Sequence, residues 1–365
     1  MASKVYWSDL RTESVPITQK LKVLMKAAGF DTLPLEGKYT AIKLHFGEPG
    51  NLAFLRPNWA KAVADEVKRR GGKPFLTDCN TLYPGRRKDA LEHLEAAAEN
   101  GFSPLSTGCQ VLIADGLRGT EEVLVPVAGG EYVKEAKIGA AIMEADAFIS
   151  LSHFKGHEST GFGGALKNIG MGCGSRAGKM EQHSEGKPLV SEGDCVGCRR
   201  CLRACAQGAI SYPDGKAVID HDKCVGCGRC LAVCPRDAIE PVYGQKNEML
   251  CRKMAEYAKA VCDGRPCFHI CVVTDVSPVC DCYGCNDMPI VPNIGMFCSF
   301  DPVALDKACA DAVNAAPAVP GSLLSGHDHG DHFDAVNPDT DWRVTLEHAE
   351  KIGMGTEEYE LIKIG

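Results

Sequence analysis

The sequence has no basic run, no N-terminal stretch that reads as a secretory leader and no apolar stretch long enough to span a bilayer, and each absence argues against a class of partner. Its 365 residues carry a formal charge of -8. Without clustered Lys or Arg it offers no electrostatic footprint for a nucleic-acid backbone or an anionic membrane surface. Residues Met1 to Asp9 lack the basic stretch and apolar core of an export signal, so a cytoplasmic chain is expected.

Cysteine is what the sequence has in excess, with 20. In a chain that is neither small nor marked for secretion, thiols at short fixed spacing point to metal rather than to disulfides. The densest run is Cys195-x2-Cys198-x2-Cys201-x3-Cys205, followed by Cys224-x2-Cys227-x2-Cys230-x3-Cys234. Three thiolates two residues apart wrap one face of a cubane, and the fourth completes the opposite cluster. Two [4Fe–4S] clusters are therefore expected, one on Cys195, Cys198, Cys201 and Cys234, the other on Cys224, Cys227, Cys230 and Cys205. A pair of zinc sites is the competing reading, but zinc typically takes two separated C-x2-C knuckles rather than this repeat. Gly197, Gly226 and Gly228 let the backbone bend around a cubane. The run resembles the bacterial two-cluster ferredoxin fold, with Ala206 where the first repeat usually has proline.

On either side of this run, strand-like and helix-like patterns alternate, which predicts an α/β fold with a mostly parallel sheet and flanking helices. Val5–Trp7, Ala41–Phe46, Pro74–Leu76, Val111–Ala114 and Ala147–Leu151 read as strands. Thr18–Ala28, Trp59–Arg70, Lys88–Glu99 and Ile138–Glu144 read as helices from their three-and-four spacing. After the cysteine runs the pattern resumes, with a helix over Glu248–Val261, a strand over His269–Thr274 and a proline-started helix from Asp301 to Val313. The expected layout is a discontinuous α/β domain, 1–190 and 242–365, with a small α+β ferredoxin-like module inserted at 191–241.

Binding crevices of open α/β sheets form beyond the carboxyl ends of strands. The strand ending at Ser152 runs into a segment, 153–174, dense in Gly, His and Lys. It reads as an active-site loop whose glycines expose backbone N–H groups to an anion while lysine adds charge. The candidate catalytic residues are His153, His157, Lys167 and His183, with histidine able to exchange protons near neutral pH or to ligate metal. A structural glycine-rich loop is the alternative. Further on, Cys280, Cys282 and Cys285 are candidates for a third metal site, with Cys271 and Cys298 on neighbouring strands. The histidines and aspartates of His327–His332 are either ligands for zinc or nickel or a solvated loop, the latter being the usual fate of such segments.

Gly161–Gly172, Cys280-Asp281-Cys282 and Asp301–Asp306 together resemble the DUF362 family nearly end to end. That family often carries a ferredoxin insert, so the resemblance implies this layout. A second resemblance, through His157, Gly163-Gly164-Ala165-Leu166-Lys167 and His183, is to the nickel-pincer lactate racemases. It implies His157 as acid/base, Lys167 as an anchor for cofactor or substrate, and His183 as a metal or cofactor contact. Those racemases lack a ferredoxin module, so racemisation does not follow.

The expected function is iron–sulfur electron transfer by an oxidoreductase, with single electrons reaching a His/Lys/Gly-rich site that acts on a small anionic substrate. A redox partner protein, ferredoxin or reductase, would supply them, and the α/β domain has room for a further metal or small-molecule cofactor. An electron carrier or scaffold without its own chemistry, and a metal-dependent isomerase with accessory clusters, are the competing readings.

Overall fold

A computed structural model describes residues 2–83, 85–184, 187–241, 247–326 and 330–365. Eight strands form one sheet: β1 (Ser3–Ser8), β2 (Tyr39–Lys43), β3 (Lys73–Asp78), β4 (Gln110–Ile113), β5 (Ala147–His153), β6 (Cys267–Val273), β7 (Gly295–Ser299) and β8 (Tyr359–Lys363). Their order is β8-β1-β7-β6-β5-β2-β3-β4. Only β7 runs antiparallel to its neighbours β1 and β6; every other pairing is parallel. The fold is therefore α/β with a mostly parallel sheet.

Strand alternation sends side chains to opposite faces and builds two cores. Along β6, Phe268, Ile270 and Val272 enter one apolar cluster while Cys271 and Val273 enter the other. The helices α1 (Ile17–Ala27) and α2 (Pro57–Arg69) cover the first face through Leu21, Leu24, Val63 and Val67. Over the second lie α4 (Ala165–Cys173), α6 (Asn247–Cys262), α7 (Pro302–Asn314) and α8 (Arg343–Lys351), while α3 (Ala90–Glu99) precedes β4. Asp89 starts α3 by accepting from the N–H groups of Leu91 and Glu92, so Lys88 and Asp89 lie outside a helix expected to include them.

The helix expected from Ile138 begins later. Residues Glu135–Gly139 form a strand paired antiparallel with Glu122–Pro126, and only Ala140–Glu144 is helical. Ile138 and Ile142 share helical spacing, but Ala136 and Ile138 also alternate, and the pairing favours the strand.

Between α5 (Arg176–Ser184) and α6 the chain forms a small unit with its own apolar cluster. Pro188–Val190 pairs antiparallel with Ile239–Pro241, and Ile210–Ser211 with Val218–Ile219. The repeat seen in the cysteines recurs in the backbone: Cys195 N–H donates to Ser191 C=O and Cys224 N–H to Asp220 C=O, both at 3.0 Å. Leu82 and Met180, from the α/β body, complete this cluster, and Lys88 pairs with Asp237 at 3.0 Å.

Candidate functional site

In the sheet order, β2, β3 and β4 step outward on one side while β5 and β6 step outward on the other. The switch point lies between β2 and β5, where crevices open in such folds. A cavity of about 60 Å3 sits there. Lys43 and His45 reach it from the end of β2, and Asp78 and Arg87 from the end of β3 and the loop beyond. His153 reaches it from the end of β5, Lys155 from the short strand that follows, Lys167 and Asn168 from α4, Lys179 from α5, and Cys280 and Cys282 from the loop after β6.

The segment 153–174 is not an open loop. Lys155–His157 pairs antiparallel with Gly161–Gly163, and α4 follows at once. Its glycines allow close approach instead of cradling an anion. A Cβ on Gly172 would collide with the Lys43 ammonium, and one on Gly164 with the Asp306 carboxylate. Asp306, from α7, accepts from the N–H groups of Ala165 at 2.6 Å and Leu166 at 2.8 Å, satisfying donors that the start of α4 leaves open.

Most of the charge in the cavity is paired. Lys43 Nζ lies 3.0 Å from Asp78 Oδ1 and donates to Asn168 Oδ1 at 2.8 Å. Against the effect of burial, Lys43 holds Asp78 far below the usual carboxylate range. Arg87 donates to Glu48 at 2.8 Å and faces His45 Nε2 at 2.8 Å; burial and Arg87 push the His45 pKa well down. His153 is held at both ends, Nδ1 at 2.9 Å from Asp281 and Nε2 at 2.7 Å from the Thr274 carbonyl. Both partners are acceptors, so the ring donates twice and fixes Asp281 in place. Lys155 lies 3.5 Å from the same carboxylate, which despite burial stays well below its ordinary pKa.

Two cations remain. Among the described residues neither Lys167 nor Lys179 has a carboxylate oxygen within 4.0 Å. Lys167 Nζ approaches Cys280 Sγ at 3.8 Å, and Lys179 Nζ donates to the Gly174 carbonyl at 2.6 Å. The cavity therefore carries a positive excess that an anion can neutralise.

Cys280 and Cys282 share one thiol proton: a hydrogen bond from Cys282, opposed by burial and aided by Lys167, holds Cys280 well below the usual thiol pKa, while Cys282 is pushed up. Donor atoms of His157, Cys280 and Cys282 lie within 4.8 Å of one another, close enough to hold one metal ion. Cys285 is exposed and outside that group, with its carbonyl accepting from Asn51 at 3.1 Å. Cys271 and Cys298 belong to opposite cores.

His183 Nε2 lies 2.9 Å from Tyr83 Oη, and burial followed by the charge of Lys167 lowers its pKa to about 3. The structure thus gathers His153, His157, Lys167 and His183 at one site, and adds Lys43, His45, Asp78, Arg87, Lys155 and Lys179, which the sequence reading did not single out. Charged side chains closing the apolar strands β2 and β3 were the available signal.

Helix α5 links this site to the cysteine-rich unit. Lys179 faces the cavity, Met180 enters the apolar cluster containing Cys195 and Cys201, and Arg176 and Met180 lie against Gly228. Of the His327–His332 segment, His327, Asp328 and His329 lie outside the described residues. Asp331 caps the helix His332–Val336 and bonds Trp342 and Arg343, and His332 bonds the Ala316 carbonyl.

Sequence comparison matches residues 40–311 to a family described as a domain of unknown function, DUF362. A thylakoid-associated protein of Synechocystis is 28% identical over 131 residues, 34% of this chain and 35% of that protein, so the chain spans about a third of its curated relative. Among solved structures, the lactate racemase apoprotein from Thermoanaerobacterium thermosaccharolyticum aligns with TM-score 0.37 and 13% identity over 75% of this chain and 51% of that one. A Thermotoga maritima protein aligns with TM-score 0.39 and 15% identity over 81% and 58%. No helix among the described residues is long and apolar enough to cross a membrane.

Proposed function

The chain belongs to the DUF362 family, and we propose that it is an iron–sulfur oxidoreductase in which single electrons from two [4Fe–4S] clusters reach the cation-lined cavity, where a small anionic substrate is bound and reduced or oxidised. The observation that carries this reading is the positive excess: among the described residues, Lys167 and Lys179 stand without carboxylates beside buried, already paired cations. A desolvated ammonium is costly until an anion joins it.

The cysteines suit cubanes better than zinc. Cys195, Cys198, Cys201 and Cys234 line one cavity although the last belongs to the other repeat, and Cys205 with Cys224, Cys227 and Cys230 would hold the second cluster. Two thiolates on one zinc stand at most about 4.6 Å apart, twice the Zn–S distance of about 2.3 Å. Among the described residues, no three of these eight thiols fall within 4.8 Å of one another; a cubane, whose thiolates each bind a different iron, needs the wider spacing. Backbone N–H groups of Ala209, Ala217 and Ala238 point at the sulfurs of Cys205, Cys195 and Cys234 at 3.4, 3.4 and 3.3 Å, and Tyr212 Oη lies 2.9 Å from Cys201 Sγ. Such donors stabilise negative charge on sulfur. When bound, the clusters supply one-electron transfer.

Within the cavity Lys167 and Lys179 would hold the anion, His157 would exchange a proton with it, and His153 with Asp281 would keep Lys155 and the Cys280–Cys282 loop in position. A ferredoxin or reductase would be the electron donor, in a cytoplasmic setting. The enclosed site favours an enzyme over a carrier, which needs only the cysteine module. Small molecules released from anaerobically purified protein, identified by mass spectrometry, test this. An anion should accompany the wild type and fall about tenfold or more in Lys167→Ala, as loss of a charged hydrogen bond predicts, with iron content unchanged. Equal recovery from both proteins would contradict the reading.

A further inference from the structure

We propose that Cys280 and Cys282 form a redox-active dithiol that gathers two single electrons into one two-electron step, with a small anionic disulfide as its substrate. The proposal rests on the electron-transfer reading above. Both residues line the cation-rich cavity, and their sulfurs lie within 4.8 Å of each other. An S–S bond of about 2.05 Å therefore needs only a short movement.

The same trio with His157 has the composition of a metal site, and the hydrogen bonding of His157 argues against that use. Its Nδ1 accepts the Ser159 N–H at 3.1 Å, so the proton of the neutral ring sits on Nε2. A metal-bound imidazole usually does the reverse, donating its outer N–H and keeping the other nitrogen free for the ion. The Nε2 atom instead faces Glu158 Oε1 at 3.5 Å, a ring nitrogen lies within 4.8 Å of Cys280 Sγ, and Lys167 Nζ stands 3.8 Å from that sulfur. A sulfur flanked by an ammonium is the attacking thiolate of such a pair; its neighbour, Cys282, is the resolving thiol.

The chemistry closes with these groups. The Cys280 thiolate attacks one sulfur of R–S–S–R, the substrate S–S bond breaks, and RS⁻ leaves. Cys282 gives its proton to that RS⁻, and its sulfur displaces the second RS⁻ as the Cys280–Cys282 bond forms. Two electrons and one proton then restore the thiolate and the thiol, the electrons arriving singly from donors of the iron–sulfur class. The dithiol thus bridges carriers that move one electron and a closed-shell substrate that needs two, and Lys167 and Lys179, which among the described residues have no carboxylate oxygen within 4.0 Å, favour an anionic substrate.

Anaerobic protein equilibrated with mixtures of reduced and oxidised dithiothreitol, then alkylated and mapped by site-resolved mass spectrometry, tests the pair directly. Cys280 and Cys282 should lose alkylation together as one internal disulfide while iron stays constant, and Cys282→Ser should leave Cys280 alkylatable throughout. Dithiodiglycolate, a small dianionic disulfide, should oxidise the pair about tenfold faster than the dicationic cystamine, and Lys167→Ala should narrow that ratio. Three results would overturn the proposal: independent alkylation of the two thiols in every mixture, a preference for cystamine, or about one equivalent of zinc, nickel or non-cluster iron lost in Cys280→Ser with cluster sulfide intact. The readout is on two thiols rather than on the clusters. A chain that forms the disulfide but holds no cluster would refute the electron-transfer reading and keep the dithiol.

Discussion

His269 illustrates what burial does to a single residue. It sits in the sheet with Nδ1 2.9 Å from Ser150 Oγ, and burial lowers its pKa from 6.5 to about 3. Between those values the folded ring stays neutral while the unfolded ring takes up a proton, so the unfolded state binds more protons and stability falls as pH drops below 6.5. The slope contributed by one such ring approaches about 1.4 kcal/mol per pH unit. His93 and His183, also lowered to about 3, add to it. Urea unfolding at pH 7, 6 and 5 should therefore show His269→Gln losing less stability on acidification than the wild type; parallel losses would show that the ring is already charged in the fold. Lys43 makes the complementary point, because its ammonium fits only where Gly172 leaves room and Asp78 supplies charge. Nothing adjacent in sequence announces that arrangement.

At the scale of elements, α5 is the piece on which site and cysteine module meet. Gly228, between Cys227 and Cys230, adopts φ +64, and a Cβ there would lie 2.7 Å from Arg176 Cγ and 3.4 Å from Met180 Cγ. The equivalent position of the first repeat, Arg199, takes the same left-handed conformation at φ 59 with a side chain, so it is the contact with α5 more than the dihedral that demands glycine. Gly228→Ala should cost about 1–3 kcal/mol and reduce the iron bound by the second repeat more than that bound by the first. Site-selective spectroscopy of the two centres would check this, and equal loss at both would indicate a general folding defect instead. Elements were also where the sequence was most legible. Alternating apolar residues marked β1 to β6, and three-and-four spacing marked α1 and α2, because each pattern follows from one buried face. The Ile138 region satisfied both patterns and was settled by a hairpin partner that periodicity does not reveal. In segment 153–174, glycine density suggested a loop, whereas the glycines permit packing of a hairpin and a helix against Asp306 and Lys43.

For the whole molecule, strand order decides the site. Lys43, Asp78, Lys155, Lys179 and Cys280 are spread over much of the chain and meet only because β2 and β5 lie side by side at the switch point. The sequence reading proposed His153, His157, Lys167 and His183, which cluster locally, and passed over residues that the sheet assembles. The cysteine repeat was legible for the opposite reason, since eight cysteines with fixed spacing carry the geometry of their proposed ligand sets in the sequence itself. That repeat also carries the central claim, and iron, zinc and acid-labile sulfide measured on anaerobically purified protein test it most directly. The expected result is about eight irons and eight sulfides per chain, with zinc near zero; zinc near two with no sulfide would contradict the account.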